Sequence, residues 1–131
     1  MAAALTELPG SSDVFERGFV TYSNAAKSQA IGVDPALIAK HGAVSEQTAR
    51  AMAEGALAHS AADIAVAVTG VAGPGGGSAE KPVGLVHIAA ARKGRATKHK
   101  RCSFGDLGRT GIRQAAVAEA LTLVRNIATD T

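Results

Sequence analysis

An α/β sandwich of helix, sheet and helix is the fold class this sequence predicts, and three observations predict it. Two continuous apolar runs of strand length, "IAVAVT" at 64–69 and "GLVHIAAA" at 84–91, read as strands covered on both faces. The stretch from about Arg109 to Ala128 places Ile112, Ala116, Val117, Ala120, Leu121, Val124 and Ile127 at helical spacing. These strands and helices are mixed along a chain of 131 residues, the length of one ordinary domain, with no internal repeat and no linker.

The elements follow in order. "MAAALTEL" reads as the end of a helix, stopped by the turn signal "PGSS". "VFERGFVTYS", 14–23, is rich in β-formers and is expected to be a strand ending near Tyr22. "NAAKSQAIG" is a short helix closed by Gly32, and Asp34-Pro35 opens another with the aspartate as N-cap and the proline at the first helical position. "HGAV" interrupts the chain. Ser45 can then cap a longer helix to about Ser60, with Ala49, Met52, Ala53, Ala56 and Leu57 on one face. After the two apolar strands, "ATKHKRCSF" reads as a polar edge strand.

Composition narrows the function classes. Apolar residues make up 47% and aromatic residues 3%, which predicts a thin, closely packed core. No apolar run reaches the length of a membrane span, the N-terminus lacks a signal-peptide layout, and Cys102 stands alone, so a cytoplasmic protein without disulfides is expected. The net charge is +3, but segment 92–101, "RKGRATKHKR", holds six of the fourteen basic residues; the remaining eight face eleven acidic ones. A single cluster without aromatic platforms argues against a nucleic-acid surface. Lysines on an edge strand, which discourage sheet-to-sheet pairing, are the better reading.

Three groups of residues could carry chemistry. The loop in "VTGVAGPGGGSAEKPVG", 68–84, has six glycines and two prolines, but it leads into a strand and not into a helix, so neither common phosphate fingerprint fits and no helix dipole is expected at its end. Its backbone could approach a ligand closely, with Thr69 at the strand tip; read alone, it is a glycine-rich crossover turn. In "PGSSDVFERGFVTYSNAAK", Ser12, Tyr22 and Lys27 offer a nucleophile, a hydroxyl and a cation whose pKa burial could depress. Residue types alone favour a turn serine, a strand tyrosine and a surface lysine. Of the histidines, His41 and His87 lack partners at ligand spacing, so no metal site is expected; His87 reads as a half-buried strand residue, and His59 and His99 as surface residues.

The motifs "PGSSDVFERGFVTYSNAAK", "IGV", "HGAVSE", "VTGVAGPGGGSAEKPVG" and "FGD…RQAAVAEAL", in this order and near these spacings, resemble the C-terminal domain of the competence-damage-inducible protein CinA. The resemblance covers nearly the whole chain. It implies a three-layer α/β/α sandwich with a mixed sheet, and the activity of stand-alone members, nicotinamide-nucleotide amidohydrolases, which deamidate nicotinamide mononucleotide to nicotinate mononucleotide and ammonia. It implies Ser12 as nucleophile and Lys27, with Tyr22 between or beside it, as the group that takes and returns the proton. It implies Thr69 and the loop with Gly70, Gly73, Gly75 and Gly76 as the wall that holds the nucleotide, and no cofactor or metal. A small-molecule nucleotide partner and a homo-oligomer are expected, with no nucleic acid and no membrane.

Two departures qualify the likeness. The family's Gly-Asp-Arg motif reads "FGDLGRTGIR" here; Arg109 is the expected substrate contact and Arg113 the second choice. Family members also begin with a helix, a strand and a Ser-Cys-Thr-Gly-Gly turn. Residues 1–131 are therefore expected to be one domain of this kind that is incomplete at its N-terminus. The alternative function is a catalytically impaired nucleotide-binding or oligomerisation remnant.

Overall fold

The computed structural model describes residues 1–130. Helix α1 (Ala2–Leu5) and a 3-10 turn (Ser11–Asp13) precede α2 (Asn24–Ile31), α3 (Pro35–His41) and α4 (Glu46–Ala58). Strands β1 (Ile64–Gly70), β2 (Leu85–Arg92) and β3 (Lys98–Ser103) follow, and α5 (Gly108–Thr129) closes the described chain. The helix starts obey local chemistry. The Ser23 side chain accepts from the Ala26 amide, Asp34 from Ala36 and Ser45 from Thr48, each occupying a donor that the first helical turn leaves free. Gly32 ends α2 in the left-handed conformation.

Among the described residues the sheet has the order β1-β2-β3, with both pairs antiparallel. Alternate side chains go to opposite faces. Ala67, Ala89 and Ala91 join Ala49, Met52 and Ala53 of α4 in one core. Val86, Ile88 and Cys102 join Ile112, Ala116 and Ala120 of α5 in the other. The three-layer sandwich is therefore present, and alanines let both helices lie close to the sheet. β2 is central and buried from Leu85 to Ala91. β3 is an edge, with exposed Lys98, Lys100 and Arg101. Arg92 donates to the carbonyls of Ile127 at 2.8 Å and Asp130 at 3.0 Å, placing a cation on the unsatisfied end of α5.

Two expectations are corrected. The sheet is antiparallel, not mixed, because residues 14–22 form no ladder and so supply no parallel strand. Their β propensity is real, but a strand needs a partner; an open cleft of about 1310 Å³ lies between this segment and β1, and both line it. Other contacts hold the segment: Arg17 donates to the His59 carbonyl at 3.2 Å, and Phe19 packs on the α4-side core. β1 is likewise not covered on both faces. It is the second edge of the sheet, and most of it is only half-buried.

Helix α2 reaches α4 over a glycine. A Cβ on Gly55 would lie inside contact distance of the Ile31 carbonyl oxygen, which is backbone and cannot swing away. Glycine to alanine inside a helix ordinarily stabilises by about 1 kcal/mol. Gly55→Ala is expected to do the reverse, lowering stability by about 1–3 kcal/mol through overpacking. Urea denaturation checks this, and a stabilised variant would show that the two helices are not in close contact.

Candidate active site

The cleft beside β1 gathers part of the predicted set. Tyr22, Lys27, Thr69 and Gly70 all line it. Lys27 is set by the Ser23 cap, which starts α2 four residues earlier and turns the lysine inward. It is only 5% exposed, so the surface-lysine reading is excluded. Its Nζ donates to the Thr21 carbonyl at 2.9 Å. Burial, which penalises the charged form, pushes the Lys27 pKa below the usual lysine range. Tyr22 stands between the residue that accepts from Lys27 and the residue that caps its helix, and it is 86% exposed at the cleft.

Thr69 forms the opposite wall. It is buried at the tip of β1, and its Oγ1 donates to the Ala43 carbonyl at 2.8 Å. Gly70 follows, opposite Val86 of β2: a Cβ there would meet the Val86 side chain at 2.8 Å and the Leu85 carbonyl at 2.9 Å. The loop beyond folds back on the sheet through paired bonds between Val71, Gly84 and Leu85. Gly75 has open space at its Cβ position and no positive φ, so no intramolecular packing demands a glycine there.

The remaining predicted residues stand apart from the cleft wall. Arg109, in the first turn of α5, donates from Nη1 to the Gly73 carbonyl at 2.9 Å. A helix N-terminus therefore does meet the glycine loop, although it comes from a helix far along the chain and not from the loop's own continuation. Gly73 is held by that bond, and Gly76 takes a positive φ in open space. Arg113 is exposed. Ser12 is exposed on the 3-10 turn, two residues before Val14 enters the cleft lining, and is not itself on the wall.

Sequence reasoning missed the turn that joins these parts. His41 carbonyl accepts from the Lys81 ammonium at 2.7 Å, Gly42 carbonyl from the Ser45 and Thr48 hydroxyls, and Ala43 carbonyl from Thr69. The "HGAVSE" motif contains this turn, but its use lies in backbone carbonyls, which side-chain identity does not display. His99 is also corrected. It is not a surface residue, because its ring lies against His87 beneath α4.

A sequence profile for the CinA C-terminal domain matches residues 1–128. The nicotinamide-nucleotide amidohydrolase PncC of Escherichia coli strain K12 is 51% identical over 122 residues, covering 92% of this chain and 73% of that protein. A CinA-like protein of Mycolicibacterium paratuberculosis is 49% identical over 133 residues, 99% of this chain but 31% of that protein. The chain thus spans about three tenths of the length of such longer relatives. Among solved structures, a competence/damage inducible protein from Agrobacterium tumefaciens superposes with a TM-score of 0.96 at 54% identity, over 98% of this chain and 78% of that one. A CinA superfamily protein from Escherichia coli superposes with a TM-score of 0.89 at 31% identity, over 96% and 72% of the two chains.

The Lys27 environment makes a stability prediction. With a lowered folded pKa, wild-type stability is greatest above the unfolded lysine pKa and falls as pH drops toward the folded value, where the buried ammonium forms. Lys27→Met removes the charge and keeps the length. It is expected to match or exceed the wild-type Tm at neutral pH and to lose that alkaline slope. A Tm several degrees lower at neutral pH would contradict the burial.

Proposed function

The chain belongs to the CinA C-terminal domain family, and from that premise we propose that it hydrolyses the carboxamide of nicotinamide mononucleotide, releasing ammonia and leaving nicotinate mononucleotide. The observation that carries the reading is Lys27: a buried lysine of lowered pKa on the wall of a cleft that also presents Thr69 and Gly70. The activity carried by PncC, a relative of which this chain spans most of the length, supports the substrate class.

In this proposal Ser12 Oγ attacks the carboxamide carbon while its proton passes, directly or through the Tyr22 hydroxyl, to neutral Lys27. The tetrahedral intermediate collapses, the proton returns to the departing nitrogen, and ammonia leaves an acyl ester on Ser12. Water then attacks the ester, Lys27 takes its proton, and nicotinate mononucleotide is released with the serine restored. Amides of the glycine loop stabilise the oxyanion. Arg109, whose Nη1 already holds Gly73, offers its remaining guanidinium N–H groups to the phosphate at the start of α5. These steps move protons and electron pairs only.

A second reading, nucleotide binding without turnover, has one observation in its favour: Ser12 lies outside the cleft wall. Ammonia release separates the two. Ser12→Ala is expected to reduce it by roughly 10³-fold or more at an unchanged Tm; near wild-type release would remove Ser12 as nucleophile and make Ser11 the next to test. Arg109→Ala is expected to raise KM more than it lowers kcat, because a phosphate contact remote from the carboxamide binds ground state and transition state alike. Steady-state kinetics check this, and a large fall in kcat at constant KM would overturn it.

A further inference from the structure

Two imidazoles from neighbouring strands meet beneath α4. The rings of His87 on β2 and His99 on β3 have centroids 5.2 Å apart and planes inclined by 23°, and His87 Nδ1 lies 2.9 Å from His99 Nε2. His87 is 8% exposed, and the side chain of His99 is 10% exposed. On the far side of His99, Glu46 Oε1 lies 3.6 Å from Nδ1, while Arg50 holds the other carboxylate oxygen of Glu46 at 2.8 Å. Neither histidine has a role in the proposed reaction.

A neutral imidazole carries one N–H and one bare nitrogen. The short contact between the rings therefore requires one proton between them. In the neutral pair, Glu46 orders it: His99 Nδ1–H faces the carboxylate, and His87 Nδ1–H donates to His99 Nε2. One added proton is also compatible, because His99 can then donate from both nitrogens, to Glu46 and to His87, whose remaining proton moves to Nε2. A second added proton leaves two N–H groups facing each other with no acceptor, and two cations in contact. We propose that the His87–His99 pair is a proton-limited latch, which joins β3 to β2 beneath α4 with none or one added proton and whose ring-to-ring contact opens on the second.

The surroundings set the direction. Facing the pair are Glu46 and Arg50 from α4, Arg101 from β3 and Lys81 from the glycine loop, so one carboxylate opposes three cations. Burial first, then His99 and Arg101, lower the His87 pKa, with Glu46 opposing. Burial lowers the His99 pKa, again against Glu46, and Arg50 adds to the lowering. In the unfolded chain both histidines titrate near the ordinary value of 6.5. The folded pair lags behind, so its stabilisation is present above that pH and is lost as pH falls through it toward the lowered values.

The latch sits where its opening would be felt at the cleft. His87 is the cross-strand partner of Thr69. Glu46 directly follows the Ser45 cap and the 41–45 turn, whose carbonyls hold Thr69 and Lys81. The same seam carries Arg50 to the Thr97 carbonyl at 2.7 Å and Thr97 to Glu54 at 2.9 Å, at the residue just before β3.

The test is nitrogen and amide NMR on the intact protein between about pH 8 and pH 5, with Tm measured across the same range for wild type and His87→Phe. In the folded wild type, one of the two imidazoles should stay neutral near the acid end, and the amides of residues 41–46 and Thr69 should shift as the pair titrates. Tm should fall by several degrees on acidification. His87→Phe keeps an aromatic ring without a proton site and should flatten the Tm slope and abolish the Thr69 shift. Independent titration of both rings near the ordinary histidine value, with those amides unmoved, would overturn the latch. So would an unchanged slope in His87→Phe. Should that variant not fold, the wild-type titration decides by the same signals.

Discussion

Keeping the Lys27 ammonium away from water costs free energy, and the elements around it have to be fixed firmly enough to impose that cost. The fixing is local in origin. Ser23 starts α2 at the register that points Lys27 inward, and Gly32 stops the helix one residue after Ile31 reaches the core. Gly55 then lets α4 come against the Ile31 carbonyl, so that α2 cannot drift outward and hydrate the lysine. One carbonyl, that of Thr21, is the hydrogen-bond acceptor that Lys27 receives. That suffices to hold an amine in place and is poor compensation for a full charge, which is the condition a lysine base needs.

The facing wall depends on a different device. Between α3 and α4 the chain turns with its carbonyls directed at three other elements, and each accepts from a side chain: Lys81 of the loop, Ser45 and Thr48 of α4, and Thr69 of β1. The Lys81 ammonium lies so close to Gly42 that a Cβ there would meet it at 2.5 Å. Strand tip, loop and helix start are thereby set against one another through backbone oxygens. Arg109 adds a fourth element by reaching from α5 to Gly73. The cleft thus has one wall made by burial and another made by hydrogen bonds, with the sheet edge β1 as its floor.

What could be read from the sequence was what local chemistry decides. Ser45 and Asp34 mark helix starts because the first turn has amides to satisfy, and the continuous apolar run at 84–91 marks a strand between two helical layers. The charged run at 98–101 marks an edge because lysines cannot be stacked against another sheet. What could not be read depends on partners distant in the chain. Residues 14–22 have strand-forming side chains, but a ladder is a property of two segments, and this one has none among the described residues. His99 reads as polar edge until β2 brings His87 beside it. Lys27 reads as a surface residue of a short helix, since its burial is decided by α4 and the cleft. Of the site, the residues were legible through family resemblance, whereas the division between cleft wall and loop, with Ser12 on neither, belongs to the three-dimensional arrangement.

The central claim is that burial lowers the Lys27 pKa, so that its amine sheds a proton more readily than that of an exposed lysine. Titration of the Lys27 side-chain nitrogen by NMR measures this directly, with Lys27→Met assigning the signal. The expected midpoint lies below the ordinary lysine value of 10.5. A Lys27 midpoint at or above that value would contradict it.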